Sequence, residues 1–476
     1  MWAGRLLPFL DAPTHLGAAS IWQHLGDARY GLGRFFEQNT PLSPYSLHYH
    51  LLHLLAGPLG LEAANKIFVS AYILAVPAGA LALLRATGRD PRLALFGFPL
   101  AWNVNLLMGF FSNLLGNALL LPALALFCRA LDRPRAARLA WLGASGIVLY
   151  LAHPLPWIVL GLGALPLALG RGLSALRATG LAYAALAPSA GLAIWQTWVR
   201  RPSGVTAVVG GGLEARWKPA RALLAEIPTW TMDWWPGHLD EAMAAVLFAG
   251  ALGLCSRDLF ARGGEAGARG LLGAALVCLA LYFALPVEMF KPAYWWLIGA
   301  RLLPLGLLLL SLAPRRPLGP RAPLLLAPVL AVAVVLPVAM TVATLRFNQR
   351  AAGLVRIADK IPLGAPCLTL VMSPREDPSF TQPLYRAFHS YVLLWRGGAS
   401  PYEWPIGFPF RYLRPLPAPP WYSPEAYSYA AHGRHWPYVL TWHDGGNRVG
   451  ADSAMQLVAE DAGFRLFRNA AYREGP

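Results

Sequence analysis

An aspartate followed four residues later by a histidine, Asp11 and His15, is the first place in this chain where the residue types could support catalysis. A carboxylate placed among apolar segments has a raised pKa and can act as a general base near neutral pH. The histidine would follow one helical turn later. The alternative is that Asp11 is the N-cap of the following helix, because Pro13 suits an early helical position.

Arg301 is the second residue that could carry chemistry, because it falls inside an apolar segment. A helix starting at residue 295 would place it about 10 Å from the helix start, where an ionisable side chain is expensive and often functional. A guanidinium suits a phosphate group. The alternatives are that Arg301 snorkels to the membrane surface or pairs with Glu288. Lys291, at the same boundary, either joins such a site or forms an exposed pair with Glu288.

Polar residues also gather at two short turns between apolar segments. Four asparagines flank the turn GFFSN: Asn103, Asn105, Asn113 and Asn117. Their amides could hydrogen-bond a sugar or a phosphate, or they could hydrogen-bond between helices. His153, in the turn AHP, is either a helix cap or a substrate contact.

The composition indicates which elements must position these side chains. Of the 476 residues, 56% are hydrophobic and 13% are charged, against about 25% charged residues in an average soluble domain. A soluble globular enzyme is therefore nearly excluded. No Walker A, zinc-site or nucleophile-elbow motif appears in the required context, and the four cysteines are too few for a disulfide framework.

Ten apolar segments are predicted to span a membrane. They cover residues 62–85, 91–110, 112–131, 138–152, 154–170, 175–198, 240–256, 268–287, 295–313 and 322–345. Each is close to the roughly 20 residues that a spanning helix needs, although several are short. The sequence therefore predicts an all-α membrane protein with about 10 to 11 transmembrane helices.

Much of the net charge of +16 lies in the loops between these segments. Basic loops alternate with loops that carry little or no positive charge, and the basic ones are 85–92, 128–138, 171–177, 256–269 and 313–321. By the positive-inside rule the basic set is cytoplasmic. Residues dispersed over short loops do not form a nucleic-acid surface, so no nucleic-acid partner is expected.

This topology places residues 11–61 outside the membrane as a first loop with surface helices. Residues 1–345 form the transmembrane domain, and MWAGRLLPFL looks like the last turns of a truncated first helix. Residues 346–476 form a small extracytoplasmic α/β domain. Its predicted strands are 367–373, 438–443 and 464–469, and its predicted helices are 354–361 and 455–463.

The segments around Asp11 resemble the GT-C superfamily of integral-membrane glycosyltransferases. An apolar stretch ends in DAPTH, in which Asp11 and His15 match the D-x-x-x-H spacing of many bacterial members. A long outer loop then closes with LHYHLLHLLAGPLGLEAANK, and AHPLPW and YWWLIGARLLPLGLLLL are similar to segments of poorly characterised bacterial members. The chain departs from the family in its short first helix and in lacking a paired DD or DE.

The resemblance implies a bacterial inner-membrane enzyme that moves a sugar from a polyprenyl-phosphate donor to an extracytoplasmic acceptor, with inversion. Asp11, with His15 beside it, takes the catalytic position. The residues that could bind the donor phosphate or another part of the substrate are Arg301, His153, Asn103, Asn105, Asn113 and Lys291. Some members use a divalent metal, which Asp11 and Asp27 could bind.

Two other functions stay open at this point. The chain could be a transporter or flippase for a lipid-linked sugar, which predicts structural repeats and broken helices near the midplane. It could also be a non-catalytic membrane scaffold whose outer domain binds a partner.

Overall fold

The structure is a computed structural model that describes residues 1–39, 42–196, 214–259, 270–291, 294–315, 317–372, 378–403, 410–443 and 445–473. The ends of two predicted spanning segments, at 197–198 and 268–269, and most of the basic loop 256–269 lie outside these residues.

Helices account for most of the described chain. They are α1 (Ala12–His24), α2 (Ser46–Leu59), α3 (Leu61–Ala86), α4 (Gly97–Ala101), α5 (Val104–Leu107), α6 (Phe111–Asp132), α7 (Ala136–Ala152), α8 (Pro154–Leu169), α9 (Leu176–Ile194), α10 (Ala220–Ala225), α11 (Ile227–Thr231), α12 (Leu239–Leu259), α13 (Gly270–Ala284), α14 (Leu303–Leu312), α15 (Ala322–Ala358), α16 (Phe388–Arg396) and α17 (Gly445–Gly450).

Four of the described helices are long and apolar enough to cross a membrane: α3, α6, the 239–256 part of α12, and α15. Shorter apolar helices surround them, namely α7, α8, α13 and the segment 300–312. Short apolar helices reach across a bilayer only when they pack in a bundle that also buries their ends. The predicted class, an all-α polytopic membrane protein with a small α/β unit, is confirmed.

The bundle is close-packed where small residues meet bulky ones. A Cβ added to Gly79 of α3 would lie 2.9 Å from the Leu121 side chain of α6, and one added to Gly97 would lie 2.7 Å from the Pro77 backbone. Small residues at such crossings let membrane helices approach closely, which gains van der Waals contact where the hydrophobic effect is weak. These contacts fix α4 and α6 against α3.

Two predicted spanning segments differ from the structure. Segment 91–110 is not one helix but a 3-10 turn (Pro91–Phe96) followed by α4 and α5, because Asn103 caps α5 and Pro and Gly residues interrupt the run. Segment 295–313 begins with a short strand and a 3-10 turn, so its helix starts only at Leu303. Arg301 therefore precedes α14 and does not lie in the middle of a helix.

Nine short strands complete the described structure: β1 (Phe36–Gln38), β2 (Glu214–Arg216), β3 (Glu288–Lys291), β4 (Trp295–Trp296), β5 (Cys367–Val371), β6 (Phe410–Tyr412), β7 (Tyr438–Trp442), β8 (Met455–Asp461) and β9 (Phe464–Asn469). The largest sheet has the order β5-β7-β9-β8, with β5 and β7 parallel and the other pairs antiparallel.

The predicted helix 455–463 is wrong, since these residues form β8 and the turn after it. Ala462 and Gly463 both have positive φ, 47° and 83°, and they make the tight turn that returns the chain into β9. Such turns match the twist of a two-stranded hairpin. Pairing with β9 therefore overrides the helical spacing, and Gly463 is a turn residue.

The first loop and the C-terminal unit are joined in the structure. Strand β1 of the loop pairs antiparallel with β6, and α1 packs against α16. Helix α15 also continues past residue 345, the predicted domain boundary, to Ala358. The C-terminal unit therefore contacts α1, the helix whose N-cap is Asp11.

A buried polar cluster fastens the C-terminal unit to α1. The Ser390 hydroxyl donates a 2.6 Å hydrogen bond to Glu403, and His389 Nε2 lies 3.6 Å from the same carboxylate oxygen, Oε1. The other oxygen faces Gly17 of α1, where an added Cβ would lie 2.9 Å away. Burial raises the pKa of Glu403 to about 8 and lowers that of His389 to about 4, so both side chains are mainly neutral at pH 7.

Candidate functional site

The loop between α4 and α6, residues 103–111, is the scaffold turn on which the candidate site is built. The backbone N–H groups of Leu10 and Asp11 donate to the carbonyls of Leu107 (2.8 Å) and Met108 (3.1 Å). Gly109 has φ +76°, and a Cβ there would lie 2.8 Å from the Asp11 nitrogen. Only glycine combines this backbone conformation with so close an approach. The scaffold turn therefore fixes the backbone at Asp11.

The Asp11 carboxyl is unused by the fold. Asp11 is at the N-cap position of α1, but its side chain makes no capping hydrogen bond. Within the described part of the chain it has no hydrogen-bond partner, although it is only 8% exposed. Burial raises its pKa to about 7, while the charge of Arg301 acts in the opposite direction. A carboxyl in this state can accept a proton near neutral pH.

His15 lies beside Asp11, and both of its ring nitrogens are engaged. Nε2 is 3.1 Å from the Gly109 carbonyl and Nδ1 is 2.9 Å from the Tyr49 hydroxyl. A carbonyl only accepts, so the hydrogen is on Nε2, and Tyr49 donates to Nδ1. Burial lowers the pKa of His15 to about 4, which keeps the ring neutral. This geometry ties α1 to the scaffold turn and gives His15 a positioning role.

Arg301 is also held by the scaffold turn. Its guanidinium carbon lies 3.8 Å from the centre of the Phe110 ring, and Nη2 donates to the Trp296 carbonyl at 3.1 Å. The Asn105 amide donates to the backbone carbonyl of Arg301 at 3.2 Å. A cation over an aromatic face is favourable, more so when water is excluded. The same scaffold turn thus positions both Asp11 and Arg301, through neighbouring residues.

His153 and Arg301 present two donors to one point. His153 caps α8, its Nδ1 accepting from the Leu155 N–H at 3.1 Å, so the neutral ring carries its hydrogen on Nε2. That Nε2 lies 3.4 Å from Nη1 of Arg301. Two N–H groups that face each other cannot satisfy one another. They are suited to share an acceptor, and a phosphate oxygen is the acceptor that guanidinium groups bind best.

Asn103 and Asn113 differ in their hydrogen bonding. Asn103 is fully used: its carbonyl oxygen caps α5, and its amide donates to Leu100 and to Tyr72. Asn113 is only 1% exposed, and neither of its amide atoms has a hydrogen-bond partner in the described structure. Gly116 follows one turn later on α6, and a Cβ added there would lie 3.5 Å from the Cβ of His153. The Asn113 amide is therefore free to bind a ligand near His153.

Two predicted site residues are not brought to this centre. Lys291 forms an ion pair with Glu214 across the β2–β3 ladder at 3.0 Å, while Glu288 pairs with Arg216 at 2.7 Å. The alternatives that paired Glu288 with Arg301 or Lys291 are therefore wrong.

Asp27 forms an ion pair with Arg29 beyond the far end of α1, which is about 20 Å long at 1.5 Å per residue. Asp11 and Asp27 cannot share a metal ion across that distance. Among the described residues, no three His, Cys, Asp or Glu side chains are grouped to hold one. A cavity of about 700 Å³ lies elsewhere, beside the α2–α3 junction and α16, and none of Asp11, His153 and Arg301 lines it.

The sequence reasoning missed Gly109 and Phe110 as site residues, although both lie in the turn GFFSN that it singled out. The available signal was a glycine placed between two apolar segments, which indicates close backbone approach. It also missed Tyr45, whose ring meets His153 edge-on with centroids 4.7 Å apart.

The fold and the site together define a polytopic helical membrane protein in which one turn positions both an unpaired carboxyl, Asp11, and a guanidinium, Arg301, that lies against His153. No protein-family model matches the sequence, and no curated protein matches it. Its fold is similar to that of ArnT from Cupriavidus metallidurans. The crystal structure of ArnT bound to undecaprenyl phosphate superposes with a TM-score of 0.53 at 14% identity, covering 99% of this chain and 96% of ArnT.

The apo-state ArnT structure gives a TM-score of 0.52, also at 14% identity, covering 99% of this chain and 95% of that one. At this identity the likeness establishes the fold. The polytopic helical fold expected from the sequence is thereby confirmed.

Proposed function

We propose that this protein is a membrane glycosyltransferase that moves a sugar from a polyprenyl-phosphate donor to an acceptor hydroxyl, with inversion at the sugar. The observation that carries the proposal is the arrangement on the scaffold turn. It positions an unpartnered carboxyl, Asp11, and also Arg301, which converges with His153 as a pair of donors and interacts electrostatically with Asp11. The fold shared with an ArnT structure bound to undecaprenyl phosphate supports a polyprenyl-phosphate lipid as the donor.

Each group has a distinct part in this reaction. Nη1 of Arg301 and Nε2 of His153 donate to oxygens of the donor phosphate and stabilise the negative charge that grows there as the sugar–oxygen bond breaks. Asp11 accepts the proton of the acceptor hydroxyl, whose oxygen forms the new bond to the anomeric carbon from the opposite face. The products are the glycosylated acceptor, polyprenyl phosphate and a protonated Asp11. Attack from the opposite face inverts the anomeric configuration.

The charge states of Asp11 and Arg301 suit these two roles. Asp11 must be ionised to act as a base, and its pKa of about 7 leaves a large ionised fraction at neutral pH. Arg301 keeps its charge under all ordinary conditions. A phosphate therefore meets a permanent cation, while the carboxylate stays basic enough to take a proton.

The proposed location is the outer face of a bacterial inner membrane. The alternation of basic and neutral loops supports it, because the scaffold turn and the His153 turn belong to the neutral set. The C-terminal unit would lie on the same side, since it packs on α1.

The experiment uses the purified chain in proteoliposomes with a panel of polyprenyl-phosphate donors, each carrying a different radiolabelled sugar, and a bacterial envelope extract as acceptor. Release of polyprenyl phosphate is the common readout, because every donor yields it. The proposal predicts that at least one donor is consumed and that Arg301→Met raises its KM. If no donor in the panel is consumed, the proposal fails.

A lipid-linked sugar flippase is the second candidate. The broken segment of Pro91–Phe96, α4 and α5 favours it, because interrupted membrane helices often line transport sites. The same proteoliposomes separate the two functions. A flippase moves labelled lipid between leaflets and leaves the sugar–phosphate bond intact, whereas a transferase breaks that bond.

A further inference from the structure

Tyr45, the residue before α2, has a backbone conformation that a bulky residue rarely adopts. Its φ is +77° and its ψ is −7°, in the left-handed region. Among the described residues, four other than glycine have positive φ. His443 and Ala462 lie in turns of the C-terminal unit, whereas Tyr45 and Leu297 flank the candidate site. Strain of this kind persists only where the surroundings enforce it, and it is common at ligand sites.

The surroundings of Tyr45 do enforce this conformation. The Gln196 amide of the α9 end donates to the Leu42 carbonyl at 2.9 Å, and the Tyr150 hydroxyl of α7 donates to the Gln196 carbonyl oxygen, also at 2.9 Å. On the other side, the Ser112 hydroxyl of α6 lies 3.5 Å from the Tyr45 carbonyl. Three membrane helices therefore hold the segment that leads into Tyr45.

This backbone conformation places the Tyr45 side chain beside His153 and Arg301. Its ring meets the His153 ring at 90° with centroids 4.7 Å apart, and its phenol interacts electrostatically with Arg301. The side chain is half-buried. Within the described structure its hydroxyl has no hydrogen-bond partner. A strained backbone thus places the Tyr45 ring against His153 and its unused O–H donor within electrostatic range of Arg301.

We infer that Tyr45 is a third phosphate-binding residue and that its hydroxyl donates to an oxygen of the phosphate held by Arg301 and His153. The inference rests on the proposed function for the identity of the lipid, and it adds a specificity-determining residue. A third donor distinguishes a phosphate, which offers several acceptor oxygens, from a neutral lipid alcohol, which offers one. The strain at Tyr45 is the cost of placing this donor in advance of binding.

The test measures binding and does not require turnover. Purified wild-type and Tyr45→Phe proteins are titrated with farnesyl phosphate and, separately, with farnesol. Phenylalanine keeps the ring, the backbone and the charge, so only the hydroxyl is removed. The matched control is Tyr183→Phe, which removes a 2.8 Å hydrogen bond to the Gly161 carbonyl within the helix bundle.

Loss of one hydrogen bond to a charged group should weaken farnesyl phosphate binding about 10- to 100-fold in Tyr45→Phe. Farnesol affinity should be unchanged, and Tyr183→Phe should bind both lipids as the wild type does. Equal farnesyl phosphate affinity in wild type and Tyr45→Phe would overturn the inference. So would an equal loss for both lipids, or a wild-type protein that does not bind farnesyl phosphate.

Failure of this inference is distinguishable from failure of the proposed function. If the wild type consumes a polyprenyl-phosphate donor and Tyr45→Phe binds farnesyl phosphate normally, the transferase stands and the role of Tyr45 is rejected. If Tyr45→Phe weakens phosphate binding but no donor is consumed, Tyr45 stands and the transferase is rejected.

Discussion

Replacing Gly109 by alanine tests whether the scaffold turn positions Asp11. A Cβ at this residue would lie 2.8 Å from the Asp11 nitrogen and 3.0 Å from the Ala12 nitrogen, both backbone atoms. Ordinary contact begins at 3.4 Å, so the Asp11 backbone must move by 3.4 minus 2.8, or 0.6 Å. A displacement of about 1 Å can lower a rate about 100-fold, so we expect a loss of roughly 10- to 100-fold in transfer.

The backbone itself adds a separate penalty. Gly109 has φ +76°, and an L-residue in the left-handed region costs about 1–2 kcal/mol. Gly88→Ala is the matched control, because Gly88 has φ +66° and no atom within 4 Å of an added Cβ. Both variants should lose similar stability from strain, but only Gly109→Ala should lose transfer.

The assay compares the initial transfer rate in proteoliposomes with the thermal unfolding midpoint of the same preparations. The reasoning is refuted if folded Gly109→Ala transfers at the wild-type rate. It is also refuted if Gly88→Ala loses as much activity at the same stability.

Three further predictions concern the charged groups. Glu403 has a folded pKa of about 8 against 4.5 ordinarily, so stability is full below pH 4.5 and falls as pH rises toward 8. The total loss is roughly 4–5 kcal/mol at 1.36 kcal/mol per pKa unit. Glu403→Gln should flatten this dependence in pH-resolved thermal unfolding, and an unchanged slope would contradict it. The transfer rate should rise with pH through a midpoint near 7 as Asp11 ionises; a rate that is flat from pH 5 to 8 would exclude Asp11 as the base. Arg301→Lys keeps the charge but loses the planar fork, so the donor KM should rise about 10-fold with a smaller change in kcat; an unchanged KM would argue against phosphate contact.

Apolar segments were the part of the fold that the sequence predicted well, because a spanning helix needs a long apolar run whatever its neighbours are. The two segments that differed are those where local signals compete with hydropathy. Asn103 offers its side chain as a cap within 91–110, and Gly299 precedes the 3-10 turn that holds Arg301. Hydropathy averages over such residues, whereas the backbone responds to each of them.

The β8–β9 hairpin illustrates a different limit. The spacing of apolar residues in 455–463 suits a helix, and the structure forms a strand because β9 supplies the pairing partner. β-structure depends on residues that are distant or opposite in the sheet, so a single segment does not contain the information.

The candidate site was predictable residue by residue but not as an assembly. Asp11 and His153 were identified from residue type and from position at the end of an apolar segment, and Arg301 was identified as a charge inside one. Their convergence depends on the scaffold turn. This turn hydrogen-bonds the backbone before α1, and its Phe110 ring packs against Arg301. Phe110 and Arg301 are 191 residues apart in sequence (301 minus 110). Spacing could not show that both ring nitrogens of His15 are engaged.

The most direct test of the central claim compares wild type, Asp11→Asn and Asp27→Asn in release of polyprenyl phosphate from a labelled polyprenyl-phosphate sugar. Asparagine preserves the shape of the side chain and removes its basicity, so Asp11→Asn should lower the rate about 10²- to 10⁴-fold with farnesyl phosphate binding retained. Asp27→Asn, which removes a carboxylate from the surface ion pair with Arg29, should match the wild type. A wild-type rate in folded Asp11→Asn would contradict the account.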